Sequence, residues 1–263
     1  QARAALAERL GFPSGEEMIR ALQGAKSQAS VIEARTEAKL REALVQLLQE
    51  LARDSRVRVL VLRGANQTFC AGLDLKELST HGLPPSGPHN DPVAALVAMP
   101  CPTIAAVQGV AVTGGLELAL ACDMILASSS ARFADTHVRM GVLPGWGLSQ
   151  KLSRLVGQAR AMELSMSGNF MGAAQAERWG LVNRCVPDDT LDEQTFALAK
   201  DIATAPPEMA QAYKRLIGDG YKLPMGEALV LEQQRSQAWA RQLSAASLSD
   251  SSSAVRLRAR QQD

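Results

Sequence analysis

The middle of the chain alternates short apolar segments with glycine-containing turns and helical segments, and this alternation limits the folds open to it. Residues 101–109 and 122–128 are apolar runs of strand length, and residues 115–121 between them have a helical composition. A strand, a helix and a second strand in this order indicate parallel pairing through a crossover connection. The runs at 57–64 and 181–186 continue the pattern. The sequence therefore predicts an α/β fold.

Helical patterns lie on both sides of this core. Apolar residues recur at helical spacing between residues 40 and 51, and the preceding residues also read as helix. From residue 189 onward the pattern is again helical. Further helices are predicted within the core at 148–156, 159–166 and 173–179. The predicted organisation is a helical N-terminal segment (1–52), an α/β core (53–188) and a helical C-terminal region (189–263).

Composition and charge exclude two classes of partner. Apolar residues make up 46% of the 263 residues, aromatic residues only 4%, and the formal net charge is +1. Binding to nucleic acids needs a concentrated basic face for the phosphates and aromatic rings on which bases can stack. No apolar run approaches the roughly 20 residues that a membrane span requires. We therefore expect neither a nucleic-acid partner nor a membrane span.

The cysteines and histidines form no metal-binding pattern. The four cysteines are Cys70, Cys101, Cys122 and Cys185. They are widely spaced, form no CxxC pair and stand among apolar residues, so buried thiols in a reducing compartment are expected. His81 and His89 share one loop segment, but no carboxylate or cysteine cluster there completes a coordination sphere. The sequence predicts no metal site.

Two glycine-containing turns, at residues 69–78 and 110–123, each follow a predicted strand. In the second turn, Gly114 and Gly115 open a helix, whose first N–H groups have no partner inside the helix. Glycine also lets a ligand approach the backbone closely. Two such N–H groups, one from each turn, would bind the oxygen of an enolate. Close packing of a helix on a strand is the other interpretation of each turn.

Glu117 lies in the first turn of the same apolar helix, between Leu116 and Leu118. Burial raises the pKa of a carboxyl group, which suits a general acid or base. The other interpretation is a carboxylate stabilised by the N-terminal end of the helix dipole. Glu117 is therefore a candidate for proton transfer.

Several ordered motifs resemble the crotonase (enoyl-CoA hydratase/isomerase) superfamily. They are NQTFCAGLDLKEL, PTIAAVQGVAVTGGLELALACDMILASSSARF, GVLPGWGLSQKLSRLVG and AERWGLVNRCVP. The resemblance implies an α/β fold with a repeated ββα spiral core and a C-terminal helical trimerisation region. It implies that the chain binds acyl-CoA thioesters, stabilises an enolate in an oxyanion hole, and assembles as a homotrimer or a dimer of trimers. Coenzyme A would be part of the substrate, and no separate cofactor is implied.

The same resemblance assigns residues to the site. The N–H groups of Leu73 and Gly114 would form the oxyanion hole. The residues that contact coenzyme A and the acyl group would be Ala71, Leu73, Asp74, Leu75, Lys76 and Gly114. Lys76 and Lys214 are candidate partners for the phosphates of coenzyme A, with solvated surface lysines as the other interpretation.

The second catalytic position departs from the family pattern. Hydratases of the family use two glutamates, and Glu117 matches the first, whereas the second position falls on His137. Imidazole can donate or accept a proton, with an unperturbed pKa of about 6.5. Asp135, two residues earlier, could orient the ring. The sequence thus predicts an enoyl-CoA hydratase-like lyase in which Glu117 and His137 catalyse syn hydration of 2-enoyl-CoA, in fatty-acid or related acid catabolism.

Two alternatives stay open at this point. One is another crotonase-type reaction, a hydrolysis or an isomerisation, and the other is binding of acyl-CoA without turnover. The N-terminus also departs from the family pattern, because family members begin with a β-hairpin where residues 1–30 read as helix. The expected compartment is the cytoplasm if the source is bacterial, and the mitochondrial matrix or another organelle otherwise.

Overall fold

A computed structural model describes residues 29–34, 38–65, 67–72 and 87–243 of the chain. The strands are β1 (Ala29–Ala34), β2 (Val59–Gly64), β3 (Thr103–Val107), β4 (Val110–Val112), β5 (Met124–Ser128), β6 (Arg132–Ala134), β7 (Met171–Gly172) and β8 (Arg184–Val186). The α-helices are α1 (Ala38–Arg53), α2 (Pro92–Val97), α3 (Gly114–Ala121), α4 (His137–Met140), α5 (Leu148–Val156), α6 (Gln158–Ser167), α7 (Ala173–Trp179), α8 (Leu191–Ala203), α9 (Pro207–Gly220) and α10 (Met225–Ala240).

The larger sheet has five strands in the order β1-β2-β3-β5-β8, and every pair in it is parallel. Its central strands β2, β3 and β5 are largely buried on both faces, as parallel strands covered by helices usually are. Alternate residues of β2 therefore enter different clusters. Leu60 and Leu62 pack on one face with the apolar residues of α3, whereas Val59 and Val61 pack on the other face with α8. The parallel α/β core predicted from the sequence is confirmed.

The smaller sheet positions the segments that matter for function. Strand β4 pairs in parallel with β6, with Val112 opposite Ala134, and β6 pairs antiparallel with β7. Helix α3 begins directly after β4 and the intervening Thr113, and Asp135 follows the last residue of β6. Because paired parallel strands end at the same edge of a sheet, the residues after β4 and β6 lie side by side.

The structure corrects one expectation at the N-terminus. Ala29–Ala34 is a strand, not a helix, and it pairs in parallel with β2 over its whole length, from Ala29 opposite Val59 to Ala34 opposite Gly64. The strand is short and offers no long apolar alternation, so the sequence pattern is ambiguous there. Hydrogen bonding to an existing strand edge overrides local helix propensity. The prediction for residues 1–28 lies outside the described residues.

The helices predicted within the core are confirmed, with bounds that shift by one residue at most for α5, α6 and α7. After a single 3₁₀ turn at Asp188–Thr190, the described chain is helical to Ala240, as expected. The chain divides into two compact units, Gln1–Ala210 and Gln211–Asp263. The boundaries predicted for three segments stay predictions.

The second unit contains the end of α9 and all of α10. Asp219 pairs with Arg235 at 2.8 Å and with Lys222 at 3.3 Å. Exposed apolar side chains are numerous in this unit. They include Tyr213, Ile217, Tyr221, Met225, Leu229 and Val230.

Two expected absences can be checked only over the described residues. None of the described helices is both long and apolar enough to cross a membrane. No group of three or more His, Cys, Asp or Glu side chains able to hold a metal ion occurs in the described part, which includes His89 but not His81.

The four cysteines form no disulfide. Cys70, Cys101 and Cys122 are buried as predicted, whereas Cys185 is only partly buried.

Candidate active site

The two glycine-containing turns meet in the structure. Cys70 bridges to Ala111, donating its N–H to the Val110 carbonyl at 2.9 Å and accepting the Val112 N–H at 3.0 Å. The approach is tight, because a Cβ on Gly115 would lie 2.1 Å from the Cys70 carbonyl oxygen. Only glycine at position 115 allows the first turn to lie this close to helix α3.

Gly72 continues this approach toward the start of helix α3. It has a φ of +95°, and a Cβ there would lie 3.1 Å from the Val112 carbonyl oxygen and 3.7 Å from the Gly114 nitrogen. Gly114 is the first residue of α3, so its N–H has no acceptor within the helix. The structure thus places the backbone at Gly72 beside the proposed oxyanion donor Gly114.

Several residues assigned by resemblance cannot be located against this turn. Leu73, Asp74, Leu75 and Lys76 lie outside the described residues. Ala71 is described and exposed, directly before Gly72. Lys214 is partly buried in α9, within the second unit. Their roles, and that of the Gly114 N–H, stay predictions.

Thr113, between β4 and α3, has an unusual backbone conformation, with φ of 52° and ψ of −110°. A β-branched residue rarely adopts a positive φ, and such strain costs on the order of 1–3 kcal/mol. Three hydrogen bonds hold it. Its N–H donates to the Ala134 carbonyl at 2.9 Å, its hydroxyl lies 2.5 Å from that of Thr136, and it accepts the Thr136 N–H at 3.2 Å.

Glu117 is buried in α3, with only 3% of its surface exposed. Its Oε1 accepts the N–H of Trp146 at 2.8 Å and that of Leu148, the first residue of α5, at 3.3 Å. Burial raises the pKa of Glu117, and these two hydrogen bonds and the charge of a protonated His137 oppose that shift only in part. The burial of Glu117 predicted from the apolar helix is therefore confirmed.

His137 faces Glu117 from the first turn of α4. It is 7% exposed, and its Nε2 lies 3.8 Å from Glu117 Oε2. That distance is longer than a hydrogen bond, which leaves both atoms available to a third group that contacts the two from one side. The structure thus brings together the two side chains that the sequence singled out.

Asp135 holds the other nitrogen of the His137 ring. Its Oδ1 lies 2.7 Å from His137 Nδ1 and also accepts the His137 N–H at 3.2 Å. Burial alone would raise the pKa of Asp135, but hydrogen bonds from the His137 and Ser165 side chains, together with the His137 N–H and the charge of a protonated His137, outweigh burial and lower it. An ionised Asp135 accepts the proton on Nδ1, so in the neutral form of the ring the lone pair is on Nε2, the nitrogen that faces Glu117.

Lys151 supports the far end of helix α3. From α5, its Nζ donates to the carbonyl of Leu120 at 3.0 Å, near the negative end of the helix dipole. Burial lowers the pKa of Lys151, while the nearby Cys122, Glu117 and Asp123 oppose this.

Sequence reasoning missed Thr113, Thr136, Lys151 and the two N–H donors to Glu117. Backbone donors carry no residue-type signal. For these two donors, the helix start after Gly147 is the one sequence feature that could have indicated them.

Comparison with known proteins agrees with this fold. The family model described as enoyl-CoA hydratase/isomerase matches residues 35–248. A probable peroxisomal enoyl-CoA hydratase 1 of Arabidopsis thaliana is 38% identical over 197 residues, which is 74% of each chain. The 1,2-epoxyphenylacetyl-CoA isomerase of Escherichia coli is 37% identical over 174 residues, covering 62% of this chain and 65% of that protein.

Solved structures agree as well. An enoyl-CoA hydratase from Bacillus anthracis superposes with a TM-score of 0.73 at 32% identity, covering 81% of this chain and 87% of that one. A probable enoyl-CoA hydratase/isomerase from Mycobacterium abscessus has a TM-score of 0.77 at 27% identity, covering 89% and 94%. The chain belongs to the crotonase, or enoyl-CoA hydratase/isomerase, superfamily. It is an enoyl-CoA hydratase-like enzyme with the crotonase fold, and its chemistry is a crotonase-type reaction of an acyl-CoA.

Proposed function

We propose that this enzyme adds water to the double bond of 2-enoyl-CoA thioesters, with Glu117 and His137 as the acid–base pair. The observation that carries the proposal is the 3.8 Å separation of Glu117 Oε2 and His137 Nε2, both buried. Two groups that exchange protons with opposite ends of a double bond must face the same side of it for syn addition. The Gly114 turn, which begins the helix that carries Glu117, supplies the proposed oxyanion donor.

The protonation states follow from the surroundings of each group. Asp135 leaves the His137 Nε2 lone pair exposed to the site, so His137 takes a proton from water as its oxygen bonds to Cβ. The π electrons move onto the thioester as an enolate, whose oxygen the N–H groups of Gly114 and Leu73 would stabilise. The raised pKa of Glu117 enlarges the fraction of molecules in which it is protonated, and this form then delivers its proton to Cα. Proton return from Nε2 to Oε2 resets the pair.

Purified protein should remove the conjugated absorbance of crotonyl-CoA, and Glu117→Gln should reduce kcat by about 10²–10⁴-fold, the usual contribution of a general acid or base. Glu163→Gln is the matched control, since Glu163 is exposed on α6. A wild-type enzyme that leaves the absorbance unchanged across several chain lengths would overturn the proposal. Release of thiol would indicate hydrolysis, and binding without turnover would indicate an acyl-CoA carrier.

No metal or separate cofactor is needed for this chemistry, because side chains activate the water and coenzyme A arrives with the substrate. Activity that survives exhaustive dialysis against a chelator would support this part of the proposal, and activity restored only by an added metal would contradict it.

Assembly as a homotrimer or a dimer of trimers is part of the proposal. It is supported by the family resemblance and by the exposed apolar side chains of the second unit. Light scattering of the purified protein tests it, and a monomeric mass would contradict it. The compartment follows the source, with the cytoplasm proposed for a bacterium and an organelle for a eukaryote. Relatives are named as peroxisomal in Arabidopsis thaliana and mitochondrial in Dictyostelium discoideum.

A further inference from the structure

We infer that Thr113 and Thr136 act as positioning residues that hold the Gly114 N–H in place relative to His137. The inference rests on the proposed function, since it concerns the same oxyanion donor and the same proton acceptor. Each threonine is the chain neighbour of one of these two residues, and their hydroxyl oxygens lie 2.5 Å apart. One side-chain contact therefore joins the segment that binds the enolate oxygen to the segment that moves the proton.

The backbone of Thr113 indicates what the hydroxyl contributes. With φ at 52°, this position suits glycine, and threonine occupies it against its own preference. What threonine adds over glycine is a hydroxyl that contacts the Thr136 hydroxyl and accepts the Thr136 N–H at 3.2 Å. The next peptide unit carries the Gly114 N–H, so the orientation of this donor depends directly on the Thr113 ψ.

Thr136, which lies two residues after strand β6, also lacks the local hydrogen bond that is usual at its position. It is the N-cap residue of α4, a position where a threonine hydroxyl usually accepts an N–H from the first turn of the helix. Here the Thr136 side chain makes no capping hydrogen bond, and its hydroxyl meets Thr113 instead. The contact with Thr113 thus replaces the local role that threonine normally has at this position.

The backbone of the two strands cannot provide this link by itself. The β4–β6 pairing ends at Val112 and Ala134, and one further hydrogen bond joins the Thr113 N–H to the Ala134 carbonyl. Beyond that bond the two segments continue into helices α3 and α4. The hydroxyl pair lies just beyond the last residues of the β4–β6 pairing, between the strand ends and the two groups proposed to act on the substrate.

The test removes each hydroxyl while keeping the β-branched shape. In Thr113→Val and Thr136→Val, kcat with crotonyl-CoA should fall about 10- to 100-fold, as expected for a small misplacement of reacting groups, while KM changes little. Thr113→Ser and Thr136→Ser should retain most of the wild-type kcat, since they keep the hydroxyl. The double valine variant should be no worse than the more impaired single variant, because the second change removes a contact already lost.

Thr190→Val is the matched control, since it removes a hydroxyl that donates to the Pro187 carbonyl at 3.0 Å on the surface. Thermal melting identifies any variant that fails to fold. If Thr113→Val fails to fold, the Thr136 variants still test the inference. A fall in melting temperature with unchanged kcat would show a merely structural role and overturn the inference.

Two readouts do not require turnover. A conjugated aryl-acyl-CoA bound to the wild type should absorb at longer wavelength when its carbonyl is polarised, and this shift should shrink in both valine variants. The amide resonance of Gly114 and the imidazole resonances of His137 should both move in Thr136→Val and stay unchanged in Thr190→Val. If the wild type proves inactive as a hydratase, these signals still test the inference. If the wild type is active and the Gly114 and His137 resonances respond independently of each other, the inference fails while the proposed function stands.

Discussion

Glu117 Oε2 and His137 Nε2 lie 3.8 Å apart in a buried site, and each of the two side chains is held through its other polar atom. The second oxygen of Glu117 is held by backbone N–H groups at the start of α5, and the second nitrogen of His137 is held by Asp135. Each group is thus fixed from behind and presents one atom to the space between them. In the proposed mechanism, this arrangement takes the place of a second glutamate.

Replacing Glu117 with glutamine should stabilise the protein at neutral pH. The pKa of Glu117 is raised in the folded state, so its carboxyl contributes stability below its unfolded pKa, near 4.3, which is lost as the pH rises through the folded pKa. At pH 7 to 8 a neutral side chain of the same shape avoids burying the charge.

The melting temperature of Glu117→Gln should therefore exceed that of the wild type at about pH 7–8, by roughly 2–4 °C for each kcal/mol gained, and the difference should shrink in acid. The exposed Glu163→Gln is the control and should leave the melting temperature unchanged at both pH values. A lower melting temperature for Glu117→Gln at pH 8 would contradict the raised pKa.

Replacing Asp135 with asparagine should have the opposite pH dependence. The pKa of Asp135 is lowered in the folded state, so its carboxylate contributes stability above its unfolded pKa, near 3.9, which is lost as the pH falls through the folded pKa. At pH 7 the variant should lose about 1.5–3 kcal/mol of unfolding free energy, the usual range for a hydrogen bond to a charged group.

Urea titrations at neutral and acidic pH measure this loss, and the two proteins should converge in acid. Asp189→Asn is the control, because Asp189 is exposed in the 3₁₀ turn after β8. The kcat of Asp135→Asn should fall as well, because an amide no longer selects the tautomer that leaves Nε2 as an acceptor. Unchanged kcat would show that Asp135 does not orient the ring.

Replacing His137 with glutamate tests whether the family's second carboxylate suits this site. The new carboxylate would lie beside Asp135, which now contacts the imidazole at 2.7 Å, and would also face Glu117. Two or three buried carboxylates repel one another. We expect lower kcat and a lower melting temperature for His137→Glu, with the melting temperature partly recovered in Asp135→Asn/His137→Glu. A faster hydratase would show that the histidine displaced a better carboxylate.

Replacing Gly115 with alanine should prevent the two turns from meeting. Its Cβ would lie 2.1 Å from the Cys70 carbonyl oxygen, so either the first turn or helix α3 must shift. Overpacking of this kind typically costs about 1–3 kcal/mol, and sometimes more. The free energy of unfolding measures it, with Gly172→Ala as the control because a Cβ there has open space around it. Equal stability of the two variants would contradict the close approach.

Local pattern was sufficient for the parallel core and for the burial of Glu117. The apolar runs that form β2, β3, β5 and β8 have the length and composition of buried strands. A helix that is apolar on all sides is buried as a whole, and its glutamate is buried with it. Family motifs, which are also local, located the turn at Gly114 and the position of His137.

Tertiary structure decided the rest, because the decisive contacts join residues far apart in sequence. The Trp146 N–H reaches Glu117 across 29 positions, and Thr113 meets Thr136 across 23. Strand β1 forms because an edge of β2 is available to pair with it, a condition that its own residues do not encode. Hydrogen-bond partners at such distances depend on how strands and helices are packed, so sequence periodicity determined the elements while packing determined which of their groups meet.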